Sequence, residues 1–288
     1  MARGDGDLFY SLVLSVRLAI DAFRLFLADD GWAIASHIAL STLMALFPFL
    51  IVLTALAGFF GSKELADEAA KILLEAWPRQ VATPIAAEIH RVLTTARSDV
   101  LTLGVALAVY FASSGVESLR IGLNRAYAAQ EARPWWLLRI ESIGYVLVGA
   151  VALIALSFLV VLEPLIFSTL LRYAPWVAPF WPLLTFARFG VATLALVAAL
   201  VVAHKWLPAG RRRLAEIAPG VVATLALWLA GGTLFGRYLA EFANTYVSTY
   251  AGLASAMIAL VFLYWSASIF IYGGELNAVL KRRADAEP

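Results

Sequence analysis

The chain has no cysteine, three histidines, and few charges for its length: 15% of 288 residues. Without cysteine there is no structural disulfide, thiolate metal site or cysteine nucleophile. The histidines (His37, His90 and His204) lie far apart in sequence. None belongs to a HExxH pair, and no CxxC, GxSxG or phosphate-loop pattern occurs. A net charge of +2 is too small to mark a nucleic-acid surface. No catalytic residue, metal ligand or cofactor is expected from these patterns.

What is abundant is apolar. Hydrophobic residues make up 62% of the chain, and the mean hydropathy is +0.83. A soluble protein of this length has about half its residues apolar and about a quarter charged. So few charges could not cover so much apolar surface in water. The composition excludes an ordinary soluble enzyme, a disordered chain and a fibrous repeat. It points to an all-α, polytopic membrane bundle. At roughly 20 residues per span, about six transmembrane helices fit.

Six spans are expected at about 33–60, 100–122, 139–163, 183–206, 214–237 and 251–280, in one integral membrane domain covering 1–288. Ahead of them, 8–28 reads as an amphipathic N-terminal helix. Phe9, Leu12, Val16, Ile20, Phe23 and Leu27 recur on one side, with Arg17, Asp21 and Arg24 on another. Those charges interrupt any cleavable leader. Residues 62–98 are charged and broken by Pro78 and Pro84. They read as an outer amphipathic helical insert, a lid or a partner surface. Pro48 should kink the first span, and Gly232 and Gly236, four apart, should let another helix approach closely.

Orientation follows from the basic residues. With six spans, the N-terminus, the 120–139 and 205–213 loops and the C-terminus share one side, with twice the Lys and Arg of the other. Positive charge marks the cytoplasmic face, so both termini should be cytoplasmic and 62–98 periplasmic.

Ionisable side chains within spans cost about 2.5–3.5 kcal/mol on insertion scales and normally face the bundle interior with a partner. Glu117 has Arg120 at i+3 and Asn124 further along. It reads either as a helix-surface ion pair or as polar lining for an anionic or zwitterionic headgroup. Glu275 follows Gly273 and Gly274, which permit close backbone approach or a break in the helix. It is either an anchor to the basic 211–213 loop or part of a pathway. Asn277, at i+2, faces elsewhere unless the helix unwinds. His37 is a hydrogen-bonded packing residue or a proton relay. Near the outer ends of the third and fourth spans, Glu163 and Arg188 form a candidate outer-leaflet polar pair, unless Arg188 snorkels outward. His37, Glu117 and Glu275 reach one membrane depth from three spans. With Arg120, Asn124 and Asn277 they are the substrate-pathway candidates.

Several segments carry a family resemblance. They are ASHIALSTLMALFPFLIVLTAL, then FASSGVESLRIGLNRAY followed by EARPWW, then LPAGRRRLAEIAPGVVATLALWL leading into LFGRYLAEFANTYVSTYAGLASAMIALVFLYWSASIFIYGGELNAVL. In their order and spacing the chain resembles the YihY/virulence factor BrkB family of bacterial inner-membrane proteins. The resemblance implies six spans and cytoplasmic termini. Members were once labelled ribonuclease BN, and others have been tied to serum resistance or to export of lipids, lipopolysaccharide precursors or small solutes. The function expected is a transporter or handler of a lipid, glycolipid or other amphipathic substrate. The alternatives are a non-transporting envelope scaffold and, behind it, a ribonuclease. Expected partners are membrane lipids and an unknown substrate, not nucleic acid. A second copy or an envelope protein could dock on 62–98.

Overall fold

The computed structural model describes residues 3–59, 98–161, 181–250 and 254–286. Seven helices account for nearly all of them, and no strand occurs among the described residues. They are α1 (Arg3–Ala28), α2 (Gly31–Phe59), α3 (Ser98–Ala126), α4 (Trp135–Val161), α5 (Trp181–Trp206), α6 (Leu214–Tyr250) and α7 (Ala254–Ala286). Residues 62–97 and Glu163 lie outside the described residues.

Four helices contain stretches long and apolar enough to cross a membrane: Trp135–Leu153, Phe186–Trp206, Leu214–Glu241 and Ala256–Ala286. On α4 and α5 these stretches face outward. Val148, Phe186 and Leu194 are each about 70% or more exposed, at 70%, 77% and 68%. Large apolar side chains displayed this densely are covered by lipid, not water. α2 adds a shorter apolar stretch, Gly31–Leu46. On α3, Ser113, Ser114, Glu117, Ser118 and Arg120 interrupt the apolar run.

α2 packs along α3, and α7 sits centrally against α1, α2, α3 and α6, while α4 is held mainly by α3. The core gathers Phe26, Ile34, Ile38, Leu123, Leu200, Val221, Phe270 and Ile271 from six helices. The turn from α1 to α2 is tight. Asp30 has a positive φ of 56°, and a side chain at Gly31 would run into the Phe26 ring and its carbonyl oxygen. Arg125 of α3 clamps this turn, donating to Asp30 Oδ2 at 3.1 Å and to Asp29 O at 3.3 Å.

Two expectations about the later spans need correction. α6 does not end near 237 but runs to Tyr250, because nothing in LAEFANTYVSTY breaks a helix. The glycines that permit close helix approach are also not Gly232 and Gly236, around which a Cβ would meet nothing within 4 Å. The close crossing is between Gly220 of α6 and Gly273 of α7. A Cβ on Gly220 would strike Gly273 O, and one on Gly273 would strike Thr224 Oγ1. A spacing of four puts two glycines on one face, but the neighbouring helix decides which face is covered.

Candidate functional site

The helix ends at one end of the bundle hold most of the described polar contacts. At the 127–134 loop, Arg133 grips Glu131 with Nε at 2.8 Å and Nη2 at 2.7 Å. Its Nη1 donates to Glu141 of α4 at 2.8 Å and its Nη2 to Leu207 O at 3.2 Å. One guanidinium thus ties a loop, α4 and the end of α5, as its planar fork allows. The grip of Arg133 holds the Glu131 carboxyl well below its ordinary range, at about 2. Asn124 completes the joint. Its Nδ2 donates to Glu131 Oε2 at 3.2 Å, and its Oδ1 accepts the Ala209 N–H at 2.7 Å.

Glu117 and Arg120 do not pair with each other. Glu117 accepts from Arg139 of α4 at 2.6 Å, and Arg139 also stacks over the Tyr110 ring, 4.7 Å away. Arg120 is 2% exposed. It donates to Ser142 Oγ at 3.0 Å and Leu138 O at 3.2 Å, and lies 3.8 Å from Glu141. The i+3 spacing puts both on the α4 side of α3, and α4 supplies each with a better placed partner than the other. Four residues not singled out above, Glu131, Arg133, Arg139 and Glu141, are therefore central to this cluster. The signal available for two of them was the EARPWW segment itself.

His37 bonds to Ser118 of α3 through Nδ1. The Ser118 hydroxyl already donates its single hydrogen to Ser114 O at 2.9 Å, so His37 is the donor. The contact joins α2 to α3.

A second polar set is buried where α3, α5, α6 and α7 meet. Asn277 Oδ1 accepts the Gly220 N–H at 2.6 Å, and its Nδ2 donates to Tyr127 OH at 3.1 Å. The Tyr127 hydroxyl lies 3.0 Å from His204 Nδ1. The Tyr127 hydroxyl is thus shared between Asn277 and His204. Arg212 stacks over the Tyr127 ring at 3.9 Å. α7 runs unbroken through Gly273 and Gly274, so these glycines serve close approach rather than an interruption. Asn277 accordingly faces α6, away from Glu275.

Glu275 is fully buried, and neither carboxylate oxygen has a hydrogen-bond partner. It is not anchored to the 211–213 loop. Asp29, just past α1, is a second acid beside it. Of the outer-leaflet pair, Arg188 is half-buried, with its guanidinium 4.8 Å from the Phe189 ring; Glu163 lies outside the described residues. The structure thus brings Glu117 and Arg120 to one cluster beside α4, links Asn124 to that cluster through Glu131, and leaves Glu275 and Asn277 on separate faces of α7.

Away from these polar groups, an apolar groove of about 850 Å³ opens between α1, α6 and α7. Val16, Ala19, Ile20 and Phe23 form one wall, and Tyr264, Trp265, Ser268, Ile269 and Tyr272 the other. Leu227 and Trp32 also line it, with Trp32 stacked on Tyr264 at 5.8 Å. Tyr272 OH donates to Ala19 O at 3.2 Å across the groove. None of the substrate-pathway candidates lines it. Among the described residues, no group of three or more His, Asp or Glu could hold a metal ion.

The model of the virulence factor BrkB family matches residues 22–288. The chain belongs to that family. This BrkB-family protein is 25% identical to YfkH of Bacillus subtilis strain 168, which carries a ribonuclease-like name, across 91% of this chain and 94% of that one. It is also 27% identical to a UPF0761 membrane protein of Rhodospirillum centenum, across 88% of this chain but 54% of the relative. No solved structure matches it. The family and the outward apolar helices together make it a membrane protein.

Proposed function

We propose that this BrkB-family protein binds and moves a lipid or other amphipathic substrate in the bacterial inner membrane, with both termini cytoplasmic. The groove between α1, α6 and α7 carries the reading. Most outward faces of a membrane helix are convex and offer lipid no more than a solvent-like contact. This surface is concave, aromatic at its rim and within the roughly 300–1,000 Å³ range of small-molecule sites. Arg17 and Arg24, the latter 3.4 Å from Asp21, stand exposed on the neighbouring side of α1, which supports contact with a phosphate headgroup. The basic 211–213 and 281–283 segments lie at the end of the bundle assigned to the cytoplasm.

The test is photocrosslinking in nanodiscs with a phospholipid bearing a photoreactive acyl chain. Crosslinks should concentrate on 16–26 and 264–272, and Ala19→Trp, which fills the groove, should reduce them several-fold. Crosslinks spread evenly over the exposed Phe186, Phe189 and Leu194 surface would remove the support for a lipid site. Metal-dependent cleavage of RNA by the purified protein would instead favour the ribonuclease reading that the name of YfkH suggests. Reporter fusions at the C-terminus and within 62–98 check the orientation, with cytoplasmic and periplasmic readings expected respectively.

A further inference from the structure

Glu275 stands out among the buried polar groups because everything around it fails to neutralise it. It is 0% exposed, and both oxygens lack hydrogen-bond partners. One turn earlier on the same face of α7, Ile271 packs where a Gly122 side chain would be, beside Ile34, so the face is apolar. From the end of α1 comes Asp29, a second acid. From the chain just past α3 comes Tyr127, whose hydroxyl is engaged by Asn277 and His204. From α5, His204 approaches Gly274, 4.0 Å from where its Cβ would be; its Nδ1 is already engaged with Tyr127. Arg282 of α7 itself acts on Glu275 from two turns away, more weakly than Asp29. The nearby Arg125 is committed to Asp29 O and Asp30. Among the described residues, no cation touches the carboxylate.

An isolated carboxylate in such a place is prohibitively unstable, and the group neutralises instead. The geometry points to Glu275 as a proton-binding site, with Asp29 as the second acid beside it. A proton from water joins one carboxylate oxygen and leaves the neutral acid that this burial tolerates; loss of that proton to water restores the anion. The anion cannot remain beside Asp29 without water or a cation entering, which separates the end of α1 from α7. Those two helices form the walls of the apolar groove, and Tyr272, one turn before Glu275, donates to α1 there. Occupancy of the site by a proton thus controls how tightly the groove is held. That last link rests on the lipid reading; the proton site does not.

The test is infrared spectroscopy of the full-length protein in lipid nanodiscs while pH is stepped. At neutral pH the wild type should show the carbonyl stretch of a protonated carboxylic acid, at a position set by its contact with Asp29. Glu275→Gln, which has the shape of the neutral acid, should lose this band; Asp29→Asn should keep it at a changed position. Should Glu275→Gln not fold, wild-type protein labelled with ¹³C-glutamate should move the same band, which assigns it to a glutamate without any substitution. A band unaffected by both the substitution and the label overturns the proposal. So does a band abolished by sodium chloride but not by choline chloride, which would make the occupant sodium. Neither readout involves added substrate, so failure here leaves the crosslinking result standing, and the reverse also holds.

Discussion

Two regions at the same end of the bundle treat buried charge in opposite ways. Between α3 and α4, every carboxylate has its guanidinium: Glu117 with Arg139, and Glu131 and Glu141 with Arg133. Around α7, Glu275 and His204 are both wholly buried with hydrogen-bonding capacity unused. The first arrangement locks loops and helix ends into one geometry, which is what architecture needs. The second stores a group whose charge state alters the packing around it, which is what a switching or coupling site needs. Both regions hold polar residues within apolar helices, so polarity alone does not distinguish them; the completeness of pairing does.

The largest effect expected lies on the α7 side. Gly220→Ala drives a methyl into the Gly273 carbonyl, an obstacle that cannot rotate away. Overpacking usually costs about 1–3 kcal/mol; with a backbone carbonyl and the Asn277 amide both in the path of the methyl, the cost should exceed that range, and a marked fall in melting temperature in detergent is expected. Gly232→Ala, in open space, should be neutral or slightly stabilising. Equal losses at the two glycines would show that the crossing is not where α6 and α7 make their tight contact.

Next comes the paired region. Arg120→Ala removes a buried guanidinium from Ser142, Leu138 O and Glu141. Breaking a buried pair costs about 3–5 kcal/mol when it leaves a charge uncompensated. Because Glu141 keeps Arg133, the low end, about 3 kcal/mol, is expected by thermal or denaturant unfolding. A loss under about 1 kcal/mol would place Arg120 among surface charges.

A double-mutant cycle of Glu117→Gln and Arg139→Met should give a smaller coupling, about 1 kcal/mol, since both side chains are partly exposed. The same cycle on Glu117 and Arg120 should give near-additive losses. Coupling there instead would restore the within-helix pair.

The smallest effect is a pH dependence. Glu131 has its carboxyl lowered from 4.5 to about 2 by Arg133. A carboxylate with a depressed folded-state value stabilises above its unfolded value, and that contribution disappears as pH falls toward the folded one. Stability should therefore drop as pH falls from 4.5 to about 2, and Glu131→Gln should flatten that part of the curve. An unchanged slope would mean that Arg133 is held by Glu141 alone.

Much of the fold was legible because lipid and helix geometry act on composition and local spacing. The apolar excess required a membrane protein, and the stretches between charges and turns became helices at nearly the expected places. α6 overran its expected end because helix propensity carries a chain past the point where its hydropathy falls. The site was legible in part. Glu117, Arg120, Asn124, Glu275 and Asn277 all lie at polar contacts or in buried positions, but their partners were misread wherever they came from another helix. Arg139 displaced Arg120 as the partner of Glu117 because side chains a turn apart on one helix compete with a facing helix that offers better angles. Tyr127 and His204 carried no local pattern at all. They meet only because the chain just past the end of α3 reaches the last turn of α5.

By itself, then, the sequence determined that the chain is helical, that it lives in a membrane, and which residues are too polar to face lipid. These follow from transfer free energies and backbone hydrogen bonding, which each segment satisfies alone. Only the tertiary structure decided which glycines touch, which charges are neutralised and which carboxylate is left without a cation. Those depend on the rotation of each helix about its axis and on its depth against its neighbours, and no residue encodes either until the others are in place.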